Sequence, residues 1–305
     1  MSEIKYLKNK NIDRKKWNKC VFASENNIVY AASWYLDLLC PGWDALIFKD
    51  YAAVMPIIHN KKYLIHYIYN PYFSARLGVF SKTPLTDSLL LRFFNSIPKR
   101  YKLISIKISS YKQFRLPGFV FEKKTNYELK LTQSYKELFS GFSKNHRKNI
   151  RRAYKFPIHV KKEQDIKKMI LLKKQLMFSI KNSKLREYHF LRLQNLLLCA
   201  QNKGLIKVYN VYDEIGNICG SAVFLIFQNR AIIYSATNSV GKKFLAGYIL
   251  VDSFIRDFAG SDIILDFAGS DIKGITDFNA GFGSTKKTYL NFTKNTLPFP
   301  LNRFV

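Results

Sequence analysis

The chain has 305 residues, 48% of them hydrophobic and 15% aromatic, with 50 Lys+Arg against 21 Asp+Glu, for a formal charge of +29 and a pI near 9.9. That much apolar residue excludes a largely disordered chain, and the length suits one large domain or two. The charge raises encounter rates with polyanions such as tRNA or anionic lipid surfaces and carries no information on fold; a lysine-rich genome would produce the same average excess.

The first forty residues read as a leading strand at Ile4–Leu7, a helix over Arg14–Ala23 and a second over Tyr30–Cys40, stopped by Pro41-Gly42. Strands follow at Trp43–Lys49, Ala52–Ile58 and Tyr63–Tyr69. Pro84 opens a helix over Leu85–Ile97, whose Leu89, Leu90, Phe93, Phe94 and Ile97 keep helical spacing, and Leu103–Ile108 alternates as a half-buried strand. The second half repeats the order, with strands at Ile206–Tyr212, Ile218–Phe227 and Ala231–Thr237 and tight turns between them. The expected division is therefore 1–126 and 127–305, with the break in polar 122–126.

No apolar run reaches the length of a membrane-spanning helix, and Met1–Trp17 is polar and lysine-rich, unlike a signal peptide. Cys20, Cys40, Cys199 and Cys219 are too scattered for a zinc site or a disulfide framework. A cytoplasmic protein without a metal is expected.

Three stretches could carry chemistry. Residues 238–247 join a strand to an amphipathic helix through Ser239, Gly241, Lys242, Lys243, Ala246, Gly247 and Tyr248. Backbone N–H groups at a helix start, with lysines beside them, favour an anion such as pyrophosphate; glycines also serve there as plain punctuation. Residues 142–155 are the densest basic cluster, and on a helix Lys144, Arg147, Lys148, Arg151 and Arg152 share a broad cationic face suited to phosphates, or simply to solvent. Asp266 and Asp271 flank Phe267-Ala268-Gly269-Ser270 after a short strand at Ile263–Phe267, and offer two carboxylates for a general base or a helix cap. A helix over Ile272–Asn279 and a last strand over Lys287–Phe292 close the chain. None of the five histidines stands in a nucleophile or metal-ligand pattern.

The element order and the glycine-bearing loop resemble a GNAT-type acyltransferase domain. Ser143-Lys144-Asn145-His146-Arg147-Lys148-Asn149-Ile150-Arg151-Arg152-Ala153 resembles the Ser…Arg-x-Asn-Ile-x-x-Ala segment of FemAB-like transferases, and 266–270 followed by 275–283 resembles their C-terminal signature. The match covers residues 127 to 292, with the first half resembling the tandem partner domain. The resemblance implies an α/β (α+β) protein of two GNAT-like domains, each a mixed, mostly antiparallel sheet flanked by helices. It further implies transfer of an acyl or aminoacyl group to an amine, from acyl-CoA or aminoacyl-tRNA, with Asp266 or Asp271 as base and 239–248 holding the donor. The sequence departs from the pattern at Lys243-x-x-Ala246-x-Tyr248, where GNAT loops carry Arg/Gln-x-x-Gly-x-Gly/Ala, and at Asn279 and Ala280, where Fem enzymes usually carry lysines. The rival expectation is a non-catalytic RNA- or anionic-membrane-binding protein on the same scaffold.

Overall fold

A computed structural model describes residues 4–109, 116–181, 183–269, 271–299 and 302. In chain order the elements are β1 (Ile4–Leu7), α1 (Arg14–Ala23), α2 (Ser33–Leu39), β2 (Asp44–Phe48), β3 (Ala53–Ile57), β4 (His59–Lys62), β5 (Ile65–Ile68), β6 (Phe80–Ser81), α3 (Asp87–Asn95) and β7 (Tyr101–Ile108). They continue with β8 (Val120–Lys130), α4 (Tyr135–Gly141), α5 (Lys144–Ala153), β9 (Ile158–Glu163), α6 (Lys167–Phe178), α7 (Glu187–Asn202), β10 (Ile206–Asp213), β11 (Ile218–Phe227) and β12 (Arg230–Thr237). The last are α8 (Ser239–Lys243), α9 (Ala246–Phe258), β13 (Ile264–Asp266), α10 (Lys273–Ala280) and β14 (Thr285–Asn295). No helix among the described residues is long and apolar enough to cross a membrane.

These elements form two units, residues 1–125 with 288–305, and residues 126–287. The expected boundary kept the whole C-terminal segment in the second half. Instead, Leu290–Asn295 pair antiparallel with Leu103–Ile108 of β7, and Leu290 and Phe292 are buried in the first unit's core with Phe93, Phe94 and Ile106. Alternating apolar residues on this last strand need a covered face, and β7 supplies the edge beside it.

In the first unit the strand orders are β1-β2-β3-β6 and β4-β5-β7-β14; in the second the order is β8-β13-β12-β11-β10-β9. The strands pair mostly antiparallel, and each unit contains a parallel step made through a crossover helix. That step is β5 to β7 by way of α3, and β12 to β13 by way of α9. This shared step is the structural content of the repeat expected at the sequence level. β4 was not expected as a strand: His59–Lys62 carries little apolar residue, and its hairpin pairing with β5 makes it one.

The second unit's sheet is covered on one face by α9, whose Ile249, Leu250, Phe254 and Ile255 pack with Phe142, Ile150, Ala222 and Phe224. The Phe224 and Phe254 rings stack with centroids 3.9 Å apart. Ser221, one residue from Ala222 in β11, points to the other face by strand alternation, and there α6 packs on β11 and β12.

Candidate active site

The two segments that carry the family resemblance meet. Ser143 caps α5, its Oγ accepting from the His146 N–H at 3.2 Å, and its own N–H donates to the Gly281 carbonyl at 2.9 Å. His146 Nε2 lies 2.8 Å from the Phe278 carbonyl. A carbonyl only accepts, so Nε2 carries the proton; Nδ1, 3.0 Å from Ser143 Oγ, then accepts from the hydroxyl. Burial lowers the His146 pKa and keeps the ring neutral. Its ring sits edge-on to Phe282 and Tyr248, at 4.8 and 5.0 Å. A Cβ on Gly281 would lie 1.9 Å from its Cε1, which is why that position is glycine. His146 is thus a neutral brace between α5 and the end of α10. Asn149 adds a second tie, from Nδ2 to the Tyr248 hydroxyl at 3.0 Å.

The expected basic loop is not an open glycine cradle. Ser239–Lys243 form the short helix α8, capped by Asn238, whose Oδ1 accepts from the Gly241 N–H at 2.8 Å. A Cβ on Gly241 would stand 2.0 Å from the Cys219 carbonyl, so this glycine answers to the neighbouring strand. Leu245, at φ 61°, turns the chain into α9. Of the seven residues expected to hold the donor, Gly241 and Ala246 are buried in packing, while Ser239, Lys242 and Lys243 are exposed. Gly247 and Tyr248 are half-buried at the start of α9. On α5, Lys144, Lys148, Arg151 and Arg152 are exposed as expected of a cationic face. Arg147 is not part of it: its NH1 donates to the Phe142 carbonyl at 2.8 Å and to that of Ser140, closing the end of α4.

The first candidate base is committed elsewhere. Asp266 is fully buried and accepts from Asn126 Nδ2 at 2.9 Å, Arg230 NH1 at 2.7 Å and the Ala268 N–H at 2.9 Å. Arg230 NH1 also reaches Glu128 Oε1 at 2.7 Å. A carboxylate so paired and fully buried is a structural anion, shut off from a reacting amine. Asp271 is exposed just before α10, whose N-cap position is Ile272. Ser270 lies outside the described residues.

A different basic group sits where β12 outruns its neighbour. β12 pairs with β13 only from Arg230↔Ile264 to Ile232↔Asp266, after which the chain turns away through Ala268 (φ 62°) and Gly269 (φ 71°). Residues 233–237 run on past that pairing. Here Lys173 of α6 donates from Nζ to the Ser235 carbonyl at 3.2 Å, and burial pushes its pKa down to about 8. Next to it in register, Ser221 of β11 faces Ala236 of β12 and Asn210 of β10. Asn210 and Ser221 are fully buried, and neither Asn210 Oδ1 nor Ser221 Oγ has a partner. The Asn210 amide is oriented by Nδ2, which donates to Glu163 Oε2 at 2.6 Å. Sequence reading passed over Lys173 because Lys173-Lys174 looks like one more solvated pair. Its spacing held the signal: it follows Ile166, Met169 and Ile170 by seven, four and three residues, on the buried stripe of α6.

Neither a protein-family model nor a curated protein sequence matches the chain. Among solved structures, FemX superposes with a TM-score of 0.66 at 12% identity, covering 99% of each chain. The fold is that of FemX, as the FemAB-like resemblance implied. A conserved protein of unknown function from Bacteroides thetaiotaomicron VPI-5482 superposes at 0.60 with 11% identity, over 96% of this chain and 99% of that one. L-PGS from Bacillus licheniformis does so at 0.54 with 11% identity, over 96% and 95%. The likeness to FemX takes in residues of both units, as expected from the first half's resemblance to a tandem partner domain.

Proposed function

We propose that this protein is an N-acyltransferase that moves an acyl or aminoacyl group to an amine at the C-terminal end of β12, with Lys173 as the base. The observation that carries the reading is the Lys173 amine, held at the overhanging strand end with a pKa near 8. A base tuned toward neutral pH can take the proton that an attacking amine must lose, which a lysine near its ordinary value cannot do. The amine nitrogen bonds to the donor carbonyl, the carbonyl bond to the ribose oxygen or the thiol sulfur breaks, and that leaving group takes up a proton. The amine's own proton passes to Lys173. Acyl-CoA and aminoacyl-tRNA are both anionic. The exposed Lys144, Lys148, Arg151, Arg152, Lys242 and Lys243, with a net charge of +29, favour the larger polyanion as donor. Asp266 is withdrawn as base in this reading.

The test is single-turnover transfer from labelled aminoacyl-tRNA, acetyl-CoA and a long-chain acyl-CoA to a panel of amines, for the wild type and Lys173→Met. The reading expects one donor to be consumed by the wild type only, with a rate that rises through about pH 8. A Lys173→Met protein as fast as the wild type would sink the assignment. The packing of Gly241 and Ala246 favours a second reading, a non-catalytic polyanion binder. It expects tRNA to raise the melting temperature at low salt only, with no donor consumed.

A further inference from the structure

The outer surface of the α6–α7 pair has a composition that neither the sheet nor the transfer site uses. Leu171 and Phe178 of α6, Ile180 in the connection, and Tyr188, Leu191 and Leu198 of α7 are 37–53% exposed. Positions 171 and 178 lie two turns apart on one face of α6, and 188, 191 and 198 share one face of α7. The two faces adjoin across a groove of about 360 Å³ lined by Leu171 and Leu191 among others. A monomer scatters such residues singly; a cluster on adjoining helices marks a surface that is covered in use.

The charges beside it identify the cover. Between residues 167 and 198, leaving aside the inward-facing Lys173 and Lys168, which Glu163 pairs at 2.8 Å, stand Lys167, Lys174, Lys181, Lys184, Arg186 and Arg192 against the single acid Glu187. That acid is already neutralised across the helix pair by Lys174 at 2.6 Å. Aliphatic and aromatic side chains at the crest, with lysines and arginines beside them, match an anionic bilayer interface. The apolar groups enter the acyl boundary, and the ammonium heads meet lipid phosphates. An RNA would find the cations but leave Leu171, Ile180 and Leu191 wet.

We propose that the α6–α7 face docks this protein peripherally on an anionic membrane. The proposal stands apart from the transfer chemistry, since it uses none of the residues at the β12 end.

The experiment is flotation of the full chain with vesicles of phosphatidylcholine alone and of phosphatidylcholine with phosphatidylglycerol. The variants are Leu171→Ser/Phe178→Ser/Leu191→Ser and Lys181→Gln/Lys184→Gln. All five positions are exposed, so folding should be retained, and an unchanged melting temperature checks it. The expected result is binding to the anionic vesicles only, weakened roughly fivefold per lysine removed and abolished by the triple serine change. Binding of the serine variant at wild-type strength would overturn the proposal. So would failure of the wild type to float, or a dimer in sedimentation that the serine changes dissociate while no vesicle binding is seen. Donor binding measured on the same variants should not change, which separates failure here from failure of the transfer reading.

Discussion

Lys173, the proposed base, shows how a buried amine works against its own fold. An unfolded lysine titrates near 10.4, while this one titrates near about 8, so between those values the folded chain binds fewer protons than the unfolded chain. Stability then rises with pH across that window, and below it the charged amine costs the fold on the order of 3 kcal/mol. Lys173→Met should therefore raise the melting temperature at pH 7 while removing transfer, and the gain should vanish above about pH 10. Thermal melts of both proteins across this range check it; a destabilised Met variant at pH 7 would mean the amine is stabilising. His146 has the same sign at lower pH. Its pKa is lowered by burial, so the unfolded chain binds more protons once the pH falls below the ordinary histidine value of about 6.5, and stability is lost there. His146→Asn should flatten that acid limb in pH-dependent urea unfolding. Gly281→Ala, which drives a methyl into the His146 ring, should cost at least about 2 kcal/mol.

At the scale of elements, the basic helix α5 divides its labour. Arg147→Ala removes a guanidinium that holds two carbonyls at the end of α4 and should cost about 1–3 kcal/mol with little effect on polyanion affinity. Lys148→Ala/Arg152→Ala should leave stability unchanged within about 0.5 kcal/mol and weaken tRNA binding, with a shallower salt dependence. Calorimetry and binding titrations at several salt concentrations separate the two classes. The elements themselves were largely legible in the sequence. β10, β11 and β12 are long apolar or alternating runs bounded by turn residues, and α3 and α5 carry clear helical spacing. The fates of individual polar groups were not. Asp266 looks like a catalytic carboxylate until Arg230 and Asn126, 36 and 140 residues away, are seen to consume it. Gly241 looks like a phosphate-loop glycine until the Cys219 carbonyl is found beside it. Spacing along a chain reports faces of helices and strands; it does not report which distant group a side chain meets.

At the scale of the whole molecule, the return of residues 288–305 to the first unit orders events in time. Residues 126–287 are contiguous, so a ribosome delivers everything that unit contains before synthesis ends. The first 125 residues emerge earlier but must wait for the chain's last strand, because Leu290 and Phe292 fill their core. Residues 1–125 made alone should melt without a cooperative transition, and adding a peptide of residues 288–299 should restore one; a sigmoidal melt of the bare fragment would contradict this. During translation, then, the N-terminal half is the later of the two to finish. Its unfilled core and the open edge of β7 are what a nascent chain would expose to chaperones the longest.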